Sequence, residues 1–160
     1  MVELVRLDER LIHGQVATVW CKSLDFDTLL VIDNVSAKDQ FLTNTLYMAA
    51  PPQVKCFVMT VEDALKVLND PRCKDRKLFV VVRKIDELLE VVNNAPDIKE
   101  VNIGNYGKLV SSNKERKLYT QHLMFDEDEY ELIKKVDQCP YPCVIQTLPT
   151  QPKTDLKSIL

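Results

Sequence analysis

Short apolar runs recur along the chain with helix-patterned segments between them, and this alternation constrains the fold more than any other feature. The runs read VELVRL (2–7), TLLVID (28–33), VKCFVM (54–59), KLFVVV (77–82), IKEVNI (98–103) and PCVIQTL (142–148). Runs of this length, bounded by polar and turn residues, fit buried strands. Between them, GQVATVWCKSL (14–24) puts Val16, Val19, Trp20 and Leu24 on one helical face. SAKDQFLTNTLYMAA (36–50) reads as a helix opened by Ser36, with Asp39 three residues on, and stopped by Pro51-Pro52. Further helices are predicted from a Thr60–Asp63 cap to about Asn69, over 85–95, from an Asp126 cap through about Val136, and over the TDLKSIL segment. KLYTQHLMF (117–125) alternates and reads as one more strand. Strands separated by helices of roughly ten to fifteen residues form βαβ units. The expected fold class is α/β: an open, mostly parallel sheet of about seven strands with helices on both faces.

No repeat or linker divides the 160 residues, so a single domain over 1–160 is expected. The formal net charge of −3 argues against nucleic acid as a partner. No apolar run approaches the roughly 20 residues that cross a bilayer, and MVELVRLDER is too acidic for a signal peptide. The expected location is the cytoplasm, with docking on a membrane protein left open. The five cysteines are odd in number and scattered, and CPYPC lacks redox or zinc spacing, so all are read as reduced thiols. No nucleotide-binding loop of the G-x-x-x-x-G-K or G-x-G-x-x-G type is present. No cofactor and no metal are called for.

In open parallel sheets, ligands bind beyond the carboxyl ends of the strands. On that edge fall Asp8 to His13, Asp33-Asn34, Thr60, Arg83-Lys84 and Asn102 to Asn105. The stretch RLDERLIHGQV (6–16) is the most unusual of these. It joins one of two histidines to one of three glycines at a strand-to-helix junction. Free N–H groups and the positive end of a helix dipole favour an anion there, phosphate above all. Gly14 lets the backbone come close. Neutral imidazole is a good nucleophile toward phosphorus. Arg10 can offer a planar fork to phosphoryl oxygens, and Asp8 can orient the histidine or hold Arg10. The competing reading is a histidine that caps a helix or packs in its loop.

RLDERLIHGQVATVW resembles the active-site segment of the IIB proteins of the mannose–fructose–sorbose family of the bacterial sugar phosphotransferase system. That family carries R-[IL]-D-[DE]-R-L-[IL]-H-G-Q-V with a tryptophan further into the helix; here the segment runs from Arg6 to Val16, with Trp20 beyond. The similarity continues more loosely through VIDNVSAKD, AAPPQVK, VEDAL and the ending VIQTLPTQPKTDLKSIL. The resemblance implies a phosphocarrier. His13 would take a phosphoryl group, through Nδ1, from a phosphorylated IIA protein or domain. It would pass the group to a hexose-type sugar held by a membrane IIC/IID permease. Arg10 and Asp8 belong to the catalytic loop by this likeness, and Arg6, Gly14 and Gln15 to the phosphate-binding set, with a structural role for Arg6 left open. Two departures stand out. Relatives often carry a V-G-G-M-like turn where this chain reads NIGNYGKL, which leaves the role of the Ile103–Lys108 loop open. Arg83 stands where relatives commonly have an apolar residue.

Two other readings compete with the carrier. A phosphatase or phosphomutase working through phosphohistidine would need a second acid/base beside the phosphate, from His122, Asp8 or Glu9. A non-catalytic regulatory domain would keep the loop without the chemistry. His122 is read as a structural or surface residue in a strand near the far edge of the sheet. Asp33 ends a strand as a receiver-domain acceptor does, but the acidic pair and lysine of such a domain are not evident. NKERK (113–117) is read as a solvated loop, and FDEDEYE (125–131) as an acidic first helical turn suited to the dipole.

Overall fold

The computed structural model describes residues 1–160, apart from the side chains of Gln15 and Val16. In chain order the elements are β1 (Val2–Asp8), α1 (Gly14–Ser23), β2 (Thr28–Ile32), α2 (Gln40–Ala49), β3 (Lys55–Met59), α3 (Val61–Leu68) and β4 (Leu78–Val82). There follow α4 (Ile85–Asn94), β5 (Val101–Asn105), β6 (Lys117–Thr120), β7 (Leu123–Phe125), α5 (Glu127–Asp137), β8 (Cys143–Ile145) and β9 (Thr154–Asp155). Seven strands form one sheet in the order β3-β2-β4-β1-β5-β8-β9. All its pairings are parallel except β8 with β9.

The strand order explains where the helices lie. From β1 through β2 to β3 the chain moves toward one edge, and from β3 through β4 to β5 it moves back. Right-handed crossovers then put α1 and α2 on one face and α3 and α4 on the other. The core divides accordingly. Leu4, Leu29, Val31, Phe79 and Val81 pack with Leu11, Ile12, Ala17, Trp20 and Leu46 on the first face. Val5, Leu7, Leu30, Ile32, Val80, Val82, Val101 and Ile103 pack with residues of α3, α4 and α5, such as Ala64, Leu88, Val91, Ile133 and Val136, on the second. Each fully buried aliphatic side chain contributes roughly 1.5–3 kcal/mol. The connection after β1 thus leaves to one face while that after its neighbour β4 leaves to the other. The crevice between them opens at the carboxyl end of β1.

Several elements differ from expectation. The helix expected over 36–50 is a 3-10 turn, Ser36–Lys38, followed by α2. Asp39 separates them because its carboxylate accepts the Leu42 N–H and caps α2. The strand expected over 117–125 is an antiparallel hairpin of β6 and β7, outside the main sheet. The Thr120 hydroxyl accepts the His122 N–H in its turn. The segment expected as a C-terminal helix begins as β9, then makes a 3-10 turn, Leu156–Ile159, capped by Asp155. Of the α1 side chains described, Ala17 and Trp20 are buried, Val19 and the following Leu24 are partly covered, and Val16, expected on the same face, lies outside the described side chains.

Candidate active site

The site begins inside β1. Side chains alternate along a strand, so Leu4, Arg6 and Asp8 point toward the α1 side. Two of these three are charged and completely buried. Arg6 is held by Asn102 Oδ1 (2.5 Å), the carbonyls of Gln146 (2.8 Å) and Thr147 (3.0 Å), and Asp8 Oδ2 (3.1 Å). Its guanidinium lies over the Trp20 ring, 4.7 Å from the centroid, and the Trp20 indole N–H donates to the Thr147 carbonyl. Burial lowers its pKa to about 10, against the favourable pull of Asp8, so it stays charged at neutral pH. The pairing of β1 with β5 shifts register beside Gly104, and a Cβ there would overlap the Arg6 guanidinium. Only glycine admits that close approach.

Arg6, expected in the phosphate-binding set, therefore does not face the opening. Both its terminal nitrogens are engaged within the protein, and it braces Asp8 from below. Asp8 in turn braces Arg10. Asp8 Oδ1 accepts the Arg10 N–H (3.1 Å) and Nε–H (3.3 Å), and Oδ2 accepts from Arg10 Nη2 (3.5 Å) and Asn105 Nδ2 (3.3 Å). The chain turns back over Asp8 to allow this, with the Leu11 N–H donating to the Asp8 carbonyl (2.9 Å). Leu11 has φ 55, a left-handed conformation that costs a leucine about 1–2 kcal/mol. Its side chain, 3% exposed and packed with Leu4 and Trp20, offsets that strain. Arg10 ends with one edge on Asp8, and Nη1 has no hydrogen-bond partner among the described residues. A third of the side chain remains exposed.

His13 is exposed, with an extended backbone (φ −137, ψ 120), and occupies the cap position of α1 without using its ring to cap the helix. The helix-capping reading is thereby excluded. Gly14 has φ 46 with open space above it. A side chain would strain that backbone and cover the helix N-terminus beside the imidazole. The expected contribution of Gln15 concerns a side chain outside the described residues. The structure thus joins Asp8, Arg10 and Arg6 by direct contacts and sets His13 and Gly14 at the next bend of the same loop.

Sequence reasoning missed the residue that fixes this loop. Glu9, 2% exposed, accepts four consecutive backbone N–H groups, from Gly107 (3.1 Å), Lys108 (2.9 Å), Leu109 (2.9 Å) and Val110 (2.9 Å). Burial alone would raise the Glu9 carboxyl, but these four donors outweigh it and hold it below its ordinary value. The Ile103–Lys108 segment, whose role was open, ends β5 and begins the cradle for Glu9, which runs on to Val110. The available signal was an acidic residue between two arginine-braced positions and a glycine turn far downstream. Arg83, a departure from the relatives' pattern, ties this loop to the neighbouring strand end. Its Nε–H donates to the Glu9 carbonyl (3.2 Å) and its Nη1 to the buried Asp33 (3.1 Å). Asp33 also holds the Ser36 N–H and hydroxyl, so it anchors the strand end.

His122 lies in the turn between β6 and β7, not in a strand. Its carbonyl accepts the Tyr106 N–H (3.0 Å), one residue beyond Asn105. The hairpin consequently bridges to Tyr106, just past the carboxyl end of β5, on the site's edge rather than the far one. NKERK is only partly a solvated loop. Arg116 is nearly buried against Glu129 (2.7 Å), beside a capping box formed by Asp126 and Glu129.

The family model for the PTS system sorbose subfamily IIB component matches residues 2–160. The chain belongs to this family. The IIB chain is 34% identical over 162 residues to the probable phosphotransferase enzyme IIB component of Streptococcus pyogenes serotype M6, covering 100% of this chain and 99% of that one. It is 25% identical over 160 residues to the PTS system mannose-specific EIIAB component of Escherichia coli K12, covering 100% of this chain and 48% of that protein. Among solved structures, the IIBSor domain of the sorbose permease from Klebsiella pneumoniae superposes with a TM-score of 0.88 at 25% identity, covering 99% of this chain and 94% of that one. The structure of manxB from Thermoanaerobacter tengcongensis superposes at 0.85 with 31% identity and the same coverage. The chain is thus a phosphotransferase component of sugar uptake, and the open, mostly parallel sheet is the fold of its relatives. The phosphatase, phosphomutase and regulatory readings gain no support from these relatives. No helix among the described residues is long and apolar enough to cross a membrane.

Proposed function

We propose that His13 is the residue that carries the phosphoryl group. A phosphohistidine on a IIA protein or domain donates it: the donor N–P bond breaks as a bond from His13 Nδ1 to phosphorus forms. A hydroxyl of a hexose-type sugar, held by a membrane IIC/IID permease, then takes the group, and the hydroxyl proton leaves to solvent. The observation that carries this reading is the exposed, uncommitted imidazole at the start of α1, on the same loop as an arginine already oriented by buried Asp8. Phosphoryl transfer needs mainly positioning and charge stabilisation, and such a loop supplies both. The fusion of IIA with IIB named in the Escherichia coli relative supports the donor. Arg10 contacts the equatorial oxygens, Asp8 orients Arg10, and Gly14 and Gln15 present the helix N-terminus. The whole of 1–160 acts as one cytoplasmic domain that meets the permease at the inner face of the membrane.

Incubation with phospho-IIA followed by intact-mass measurement tests the assignment. The wild-type chain gains one phosphoryl group, and His13→Ala gains none while keeping its fold, because an exposed loop side chain contributes little to the core. Full labelling of the alanine variant would refute it.

A further inference from the structure

We infer that Arg83 is a positioning residue for phosphoryl transfer, acting through the main chain of Glu9; this rests on the carrier reading of His13. Arg83 lies just beyond the carboxyl end of β4, the strand beside β1. Its Nε–H is spent on the Glu9 carbonyl and its Nη1 on Asp33. Asp33 is fully buried and tied to Ser36, so the guanidinium sits on a fixed post rather than at the end of a free side chain. The carbonyl it holds belongs to the peptide that leads directly into Arg10.

Three independent ties converge on Glu9. Its N–H donates to the Asn105 carbonyl, its carboxylate is cradled by residues 107–110, and its carbonyl is fixed by Arg83. The first two come from β5 and the loop that follows it. Of these three, only Arg83 reaches across from the end of β4, so it is the hydrogen bond among them that resists a swing of the Glu9 peptide away from that side. Arg10 and strained Leu11 come next in sequence, and a small rotation of the Glu9–Arg10 peptide would move the Arg10 fork relative to His13. A misplacement of about 1 Å costs transfer roughly a hundredfold.

The guanidinium also borders open space. Arg83, Lys84, Val35, Leu109, Val110 and Ser111 line a cavity of about 290 Å³ on this edge. That placement raises a rival role, docking of the donor, which makes a different kinetic prediction. A docking residue changes KM for the phosphorylated donor. A positioning residue changes kcat at unchanged KM.

The test uses wild type, Arg83→Ala and Arg83→Lys. Hydrogen exchange at the Leu11 amide is read first, in the protein alone; transfer from phospho-IIA to His13 is then followed by rapid quench. Arg83→Ala is expected to speed Leu11 exchange by roughly tenfold or more, as a locally loosened turn does. It is expected to lower kcat roughly ten- to hundredfold, with KM within about twofold. Arg83→Lys recovers part of both, because an ammonium can reach the Glu9 carbonyl or Asp33 but cannot fork between them. If the alanine variant fails to fold, the lysine variant carries the comparison, with intermediate exchange and kcat. Wild-type exchange and rate in the substituted proteins would overturn the inference, as would a rise in KM at constant kcat. Failure of the wild-type chain to accept a phosphoryl group would instead sink the carrier reading, while the exchange result would still decide whether Arg83 holds the turn.

Discussion

Replacing Glu9 with glutamine tests whether the cradle of residues 107–110 holds the reactive loop. In the native protein Oε1 accepts three N–H groups, from Gly107, Leu109 and Val110, and Oε2 accepts the fourth, from Lys108. Glutamine is nearly isosteric and can keep its carbonyl at the Oε1 position. Its amide nitrogen then faces the Lys108 N–H, donor against donor. Three charge-assisted bonds become neutral ones, at about 1 kcal/mol each, and the fourth is lost, for about 1–3 kcal/mol more. The three share one acceptor and do not add fully, so Glu9→Gln is expected to cost about 2–4 kcal/mol at pH 7. The pH dependence gives an internal control. The folded carboxyl titrates below its ordinary value near 4.5, so its stabilisation is complete above that value and is lost as pH falls through the folded pKa. The gap between wild type and variant therefore narrows in acid. Urea unfolding from pH 3 to pH 7 measures it, with an unchanged slope in urea confirming that only stability has moved. A difference under about 0.5 kcal/mol at pH 7, or a gap as wide at pH 3, would refute the reasoning.

Three further outcomes follow from the same geometry. Burial, aided by nearby Asp33 and opposed by the Asn34 N–H, pushes Glu87 up to about 7, so the folded chain binds this proton more tightly than the unfolded one and stability falls between about pH 4.5 and 7. Glu87→Gln removes that slope and exceeds wild type above pH 7 by up to about 3 kcal/mol; parallel curves of urea midpoint against pH would sink the idea. Gly104→Ala drives a methyl group into the pinned Arg6 guanidinium and is expected to cost about 3 kcal/mol, read as a fall in Tm, with a change of less than a degree showing that Arg6 can retreat. Arg10→Lys gives up the fork that holds Asp8 and that, in the proposed carrier, faces the phosphoryl oxygens, so rapid-quench rates of His13 phosphorylation are expected to drop roughly tenfold to a thousandfold, about 1.4–4 kcal/mol of barrier, and a wild-type rate would make Arg10 a bystander.

The alternation of apolar runs and helical segments was enough to read the parallel sheet, its two covered faces and the edge that carries the site. Periodicity reports burial, and burial in this fold is set mainly by the strand pattern. The elements it misjudged are those fixed by single polar contacts. Asp39 breaks a helix by capping the next one, and Thr120 turns an alternating run into a hairpin. At the candidate site, the grouping of His13, Arg10 and Asp8 on one loop was legible because they sit within a few residues of each other. Arg6 was half legible: its place in the motif was plain, but not that Asn102, Gln146 and Thr147 would claim its guanidinium. Glu9 was legible only as a spare acid beside the loop; its structural role was not, because its four partners lie near residue 108 and backbone donors leave no mark on a sequence.

The distance along the chain between Arg6 and its partners has a consequence for how the protein is made. Arg6 is separated from the Gln146 carbonyl by 140 residues and from the Thr147 carbonyl by 141. At about 5–20 residues per second, a ribosome needs on the order of ten seconds to travel between them. During that interval β1 carries two charges destined for burial, and two of the four acceptors that offset the cost of burying the cation, the Gln146 and Thr147 carbonyls, have yet to be synthesised. The β2–β3 pair can form beforehand from neighbouring segments, but β1 has reason to stay hydrated until the nascent chain passes Thr147. The loop that carries His13 would then be among the last parts of the molecule to assemble, and a truncated or stalled chain would display a histidine without a shaped loop around it.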